Sequence, residues 1–62
     1  MFVIKEWGKE GLIDVTFIEN FSEVMTTAMD IDISGQGLQI FMIKYNEKGM
    51  IEEIEIWDNR WG

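Results

Sequence analysis

The side chains in this sequence with a capacity for chemistry are almost all carboxylates. Twelve Asp and Glu stand against five Lys and Arg, and there is no His and no Cys. Without imidazole or thiol, the chain has neither the commonest general base nor the best nucleophile at neutral pH. Its two serines, Ser22 and Ser34, fall at expected caps or turns. Glu53 and Glu55 could imitate the carboxylate pair of a glycosidase. On an exposed strand, however, both stay ionised and neither can serve as the acid. A sheet built from so short a chain also offers little concavity for a substrate. Composition thus points away from an enzyme and toward a binding protein.

Asp30-Ile31-Asp32-Ile33-Ser34-Gly35 matches the first half of a calcium loop, but the second half fails. Phe41 occupies the twelfth position, where a bidentate glutamate is needed, and Gly37 sits where an apolar residue belongs. No metal and no cofactor are expected. Gly8, Gly11, Gly35 and Gly37 read as turn residues, not as phosphate cradles, because neither pair has the spacing or the following helix.

The carboxylates matter more as an array. On a strand, residues i and i+2 stand ~6.6 Å apart on one face, so Glu53 with Glu55, and Asp30 with Asp32, are each expected to form a row. Like charges in rows cost stability, and the formal charge of −7 leaves few bases to offset them. That balance disfavours binding nucleic acid or an anionic membrane and favours a basic partner. The candidate partner-binding residues are Asp30, Asp32, Glu52, Glu53, Glu55 and Asp58. Trp57 and Trp61 join them as apolar anchors, since exposed Trp beside charge is a hot-spot composition. The expected function is that of a small acidic inhibitor occupying the basic, nucleic-acid-binding surface of a target protein, as viral anti-defence proteins and other DNA mimics do. An antitoxin or immunity-type partner of a basic toxin is a second class, and a structural homo-oligomerising module a third.

The elements that position these residues follow from pattern. Sixty-two residues make one domain. A chain of this length buries only ~60% of its unfolded surface. Yet 47% of the residues are hydrophobic, including three Trp and four Phe. Some apolar surface must therefore stay exposed, for a second copy (a homodimer) or another partner. Phe2-Val3-Ile4 is cut short by Lys5 and Glu6, unlike a signal peptide, and no apolar run approaches the ~20 residues of a spanning helix. A cytoplasmic protein is expected, in the host if it is viral.

Leu38 to Trp57 reads as a β-hairpin closed at Asn46-Glu47-Lys48-Gly49, with Gly49 supplying a positive φ. Its first arm is apolar on both faces and belongs inside a sheet. Its second arm places Ile54 and Ile56 on one face, and Ile51, Glu53, Glu55 and Trp57 on the other. Met1 to Trp7 and Leu12 to Glu19 form a second hairpin around Gly8-Lys9-Glu10-Gly11, with Trp7 expected in the core. Between the hairpins, Asn20 and Glu23 resemble a capping box. Phe21, Val24, Met25, Ala28 and Met29 trace a helical face, while residues 24–33 also alternate as a strand would. The reading adopted is a helical turn near Phe21 to Met25, then a strand from about Ala28 to Ser34. The expected fold is all-β or β-rich α+β: a five-stranded antiparallel meander or small open barrel, with ββαββ as the alternative. Its core is expected at Ile13, Val15, Phe17, Ile40, Met42, Ile54 and Ile56.

Tyr45-Asn46-Glu47-Lys48-Gly49, followed by Ile51, Ile54-Glu55-Ile56 and Asp58, resembles the closing hairpin of small bacterial proteins of the domain of unknown function 2283 family. Asn46 replaces an aspartate of that pattern and Glu53 a glycine. The resemblance covers residues 45–58, implies a small β-rich fold, and carries over no site.

Overall fold

A computed structural model describes residues 1–60. The chain runs β1 (Phe2–Gly8), β2 (Gly11–Ile18), α1 (Phe21–Ile33), β3 (Gly37–Tyr45) and β4 (Ile51–Asp58). The four strands form one antiparallel sheet in the order β2-β1-β3-β4. The domain is therefore β-rich α+β, an open sheet with one helix. It differs from the five-stranded meander in two ways: the strand expected over Ala28 to Ser34 is helical, and β1 lies between β2 and β3. No barrel closes, because β2 and β4 remain as edges. Among the described residues, no helix is long and apolar enough to cross a membrane.

Local chemistry explains why the helix prevails over the strand. Asn20 caps it, its Oδ1 accepting from the Ser22 backbone N–H at 2.9 Å. At the far end Gly35 has φ 83°. The Gly35 and Gln36 N–H groups donate back to the Asp32 and Ile31 carbonyls. Those paired bonds past a left-handed glycine make a Schellman cap, which satisfies carbonyls the last turn would leave orphaned. Between the caps, Val24 is fully buried, with Ala28 and Ile31 packed beside it. Their spacing of four and three gives the inward stripe that burial requires. The alternation of Ile31 and Ile33 has no such use, since Ile33 is 81% exposed.

The helix lies over β1, β3 and β2 and does not reach β4. Beneath it, Ile4, Ile18, Leu38 and Ile40 join Val24 as the buried cluster. Strand register puts Phe2, Ile4, Ile18, Ile40 and Met42 on this helix-covered face, and Val3, Val15, Phe17, Phe41 and Ile43 on the opposite one. The expected core mixed those two faces. Of its residues only Ile40 belongs to the buried cluster; Met42 and Ile54 are half-buried on the same side. Val15 and Phe17 lie on the uncovered face, and Ile13 occupies an irregularity of the β1–β2 register.

The β3–β4 turn forms as its residues dictate. The Gly49 N–H donates to the Asn46 carbonyl at 2.9 Å with Gly49 at φ 77°. Asn46 Oδ1 also accepts from the Lys48 and Met50 N–H groups. Further along, the register shifts between Ile40 and Phe41, which pair with Trp57 and Glu55, leaving Ile56 as an extra residue. Such a bulge re-aims the side chains that follow it. Trp57 consequently joins the helix-covered side, opposite Ile40, instead of the Glu53 and Glu55 face expected from strict alternation.

Candidate functional site: an apolar groove and an acidic strand

Because α1 leaves β4 uncovered, a groove of about 270 Å³ runs between them. Its helical wall is Phe21, Met25 and Met29; its floor is Leu38 and Ile40; its outer wall is Ile56 and Trp57. The bulge is what brings both Ile56 and Trp57 to this side. One end is tied by Asn59 Nδ2 donating to Asp32 Oδ1 at 3.1 Å. Met25, Met29 and Trp57 are about half exposed or more, so the groove is open to a partner. Methionine and tryptophan suit such a site, the one for its adaptable shape and the other for its large apolar area.

Charge is distributed unevenly around this groove. Glu23, Asp30 and Asp32 lie on α1, and Glu52, Glu53, Glu55 and Asp58 on β4. These are seven of the twelve acids, and neither element carries a base. Asp30 and Asp32 do not form the expected row, because residues two apart on a helix point about 200° apart around its axis. Asp32 edges the groove, and Asp30 lies on the other flank. Both sit in the last helical turn, where the negative end of the helix dipole adds to their charge and no basic residue offsets it.

The row on β4 does form, on the face away from the helix. Glu53, Glu55 and Asp58 pair across the ladder with Ile43, Phe41 and Gln39. This row is largely answered within the molecule. Lys5 Nζ lies 3.9 Å from Glu53 and 4.6 Å from the centre of the Phe41 ring. Gln39, a buried polar residue, accepts from Trp7 Nε1 at 2.9 Å and donates to Glu55 at 2.8 Å. Trp7 is thus half-buried on the uncovered face, not in the core, with Arg60 stacked 5.5 Å from its ring. Arg60 also grips Asp58 through two bonds, 3.1 and 3.0 Å long. Those side-chain bonds, helped by the Arg60 backbone N–H, hold the Asp58 carboxyl below the usual carboxylate range. Glu52 stands apart on the helix side, opposite Lys44, and accepts from Asn46 at 3.3 Å.

Of the eight residues singled out from sequence, the structure brings Trp57 and Asp32 together at the groove, and Glu53, Glu55 and Asp58 together on the opposite face. Asp30 and Glu52 join neither group, and Trp61 lies outside the described residues. Sequence reasoning missed Met25 and Met29 as groove residues. Their spacing of four, on the flank of the Val24, Ala28 and Ile31 stripe, was the available signal. A wider depression of about 970 Å³ adjoins the groove at its end near Asp32 and Asn59, lined by Trp7, Lys9, Glu10, Leu12 and Gln36 among others. Turn residues make up much of its wall, and no group of three or more metal-ligating side chains gathers there or elsewhere among the described residues.

No family model, no curated protein and no solved structure matches this chain. The residues that resemble the domain of unknown function 2283 family fall on the β3–β4 hairpin and its turn.

Proposed function

We propose that this chain is a small, acidic, non-enzymatic binding protein that occupies the basic, nucleic-acid-binding surface of a target protein in the cytoplasm. The observation that carries this reading is the pairing of an apolar groove with two flanking elements, α1 and β4, that hold seven acids and no base. An apolar anchor inside a field of one sign gives a partner both contact area and orientation. Lys and Arg of the target meet Asp32 at the groove and Glu52 on the same side of β4, while an apolar side chain enters between Met29 and Trp57. The acids already held by Lys5 and Arg60 contribute less, because their charge is locally cancelled.

Competition tests this. The protein, immobilised, is exposed to nuclease-treated lysate, and what it retains is challenged with duplex DNA or RNA. Nucleic acid is expected to displace the partner, and added salt to slow association, since exposed charges are screened over ~8–10 Å at physiological ionic strength. The Asp32→Asn, Glu52→Gln double variant is expected to associate more slowly with its fold intact. Trp57→Ala is expected mainly to hasten dissociation. A partner that stays bound in saturating nucleic acid, or that ignores the double variant, overturns the reading.

A further inference from the structure

Among the described residues, the face of the sheet away from α1 has no covering layer, and beside its ion pairs it carries a broad apolar area. Val3, already buried within the layer, and half-buried Phe41 on the inner strands are flanked by half-buried Val15 and exposed Phe17 on β2, and by half-buried Ile43 and exposed Tyr45 and Ile51 on β3 and β4. Phe17 is 64% exposed, Tyr45 70% and Ile51 62%. A β-sheet in water ordinarily buries at least one face, and here the helix already serves the other. We infer that this uncovered face is the contact between two copies of the chain, packed sheet to sheet as a homodimer.

Charge selects a second copy over a basic partner. The molecule as a whole carries −7, so two copies repel over most of their surface. On this face Lys5 sits beside Glu53 and Arg60 beside Asp58, which leaves Glu55 as the uncompensated acid among them. It is the near-neutral side of a strongly acidic molecule, and two copies can meet there without opposing a field. A basic partner finds its counter-charges along α1 and at Glu52 instead. Size agrees with a modest dimer. Four strands at ~4.8 Å spacing and seven residues at ~3.3 Å give a face of roughly 19 by 23 Å. Doubled for two copies and allowing for side-chain relief, that is roughly 1,000 Å², the lower limit for a specific interface. The contact is isologous, so Phe17 of each copy packs near the two-fold axis or symmetrically about it.

This inference is independent of the proposed function, and the two respond oppositely to salt. Partner binding weakens with salt, whereas dimerisation through an apolar, near-neutral face holds or tightens as repulsion between the remaining acids is screened. Sedimentation equilibrium across the micromolar range, at low and high salt, reads the dimer alone. A rise from the 7.3 kDa monomer to twice that mass is expected, undiminished at high salt. Phe17→Lys, at a position exposed enough to leave the fold intact by circular dichroism, is expected to weaken the dimer about 30-fold or more. Met29→Lys, in the groove on the other side, is expected to leave it unchanged. A monomer at every concentration overturns the inference. So does a dimer dissociated by salt, or one broken by Met29→Lys but not by Phe17→Lys.

Discussion

Ile18 and Phe17 are neighbours on β2 with opposite fates, and substituting each tests the register on which the whole description rests. Ile18 is 7% exposed beneath the helix and Phe17 64% exposed on the far face. Ile18→Val removes one buried methylene, a loss of about 1 kcal/mol, whereas Ile18→Ala removes more and leaves a cavity, for about 3 kcal/mol. A domain of this length has roughly 3–9 kcal/mol in total, so the alanine variant loses a large share of its stability. The valine variant is the quantitative probe. With a urea slope of about 1 kcal/mol/M for so small a domain, its midpoint falls by about 1 M. Phe17→Leu, measured at protein concentrations low enough to populate monomer, changes stability by no more than ~0.5 kcal/mol. Tryptophan fluorescence in urea reads both variants. Because side chains alternate, a one-residue slip of β2 exchanges every partner between faces. A large loss for Phe17→Leu with none for Ile18→Val therefore refutes the register and the placement of α1 over this face.

Two further outcomes follow from local geometry. Gly35→Ala meets no atom within 4 Å of the added methyl, so its cost is that of holding alanine at φ 83°, about 1 kcal/mol, read as a lowered thermal midpoint. An unchanged midpoint contradicts the Schellman cap. Asp58 is held below its usual pKa by Arg60, so its contribution to stability is present at neutral pH and is lost as pH falls through that lowered value. Carbon-detected titration is expected to place its midpoint below ~3.9, the ordinary value for aspartate, and Arg60→Ala to raise it toward that value, the backbone N–H bond remaining. An unshifted Asp58 midpoint in the unmodified chain excludes the pairing.

Both hairpins were legible in the sequence because their signals are local. Gly49 after Asn46-Glu47-Lys48, and Gly8 and Gly11 around two charges, fix turns within a few residues. The inner position of β3 also followed, since a strand apolar on both faces needs neighbours on each side. What escaped were features decided at a distance. Residues 28–33 satisfy a strand pattern and a helix pattern equally, and Val24, lodged against Ile4, Ile18 and Leu38, resolves them toward the helix. Likewise, Val15 with Phe17 and Thr16 with Ile18 offer β2 two usable faces. Only the landing site of α1 decides which of them is core. Trp57 was misplaced by one residue's worth of alternation, because nothing local announces the extra residue at Ile56. Glu53 and Glu55 do form the expected row, whereas Glu52 turns to the helix side, and the pairing of Glu53 and Asp58 with Lys5 and Arg60 depends on β1 and on the segment after β4.

The strand order has a consequence for cooperativity. Each hairpin is held by its own ladder, and the two meet along β1 and β3. The buried cluster straddles that seam: Ile4, Ile18 and Val24 come from the first half of the chain, Leu38 and Ile40 from the second. Neither half owns a core. Each hairpin alone exposes its share of the cluster to water, and an isolated two-stranded hairpin is at best marginally stable. Separating β1 from β3 therefore dissolves everything at once, so the molecule has no partly folded refuge in which one hairpin survives the other.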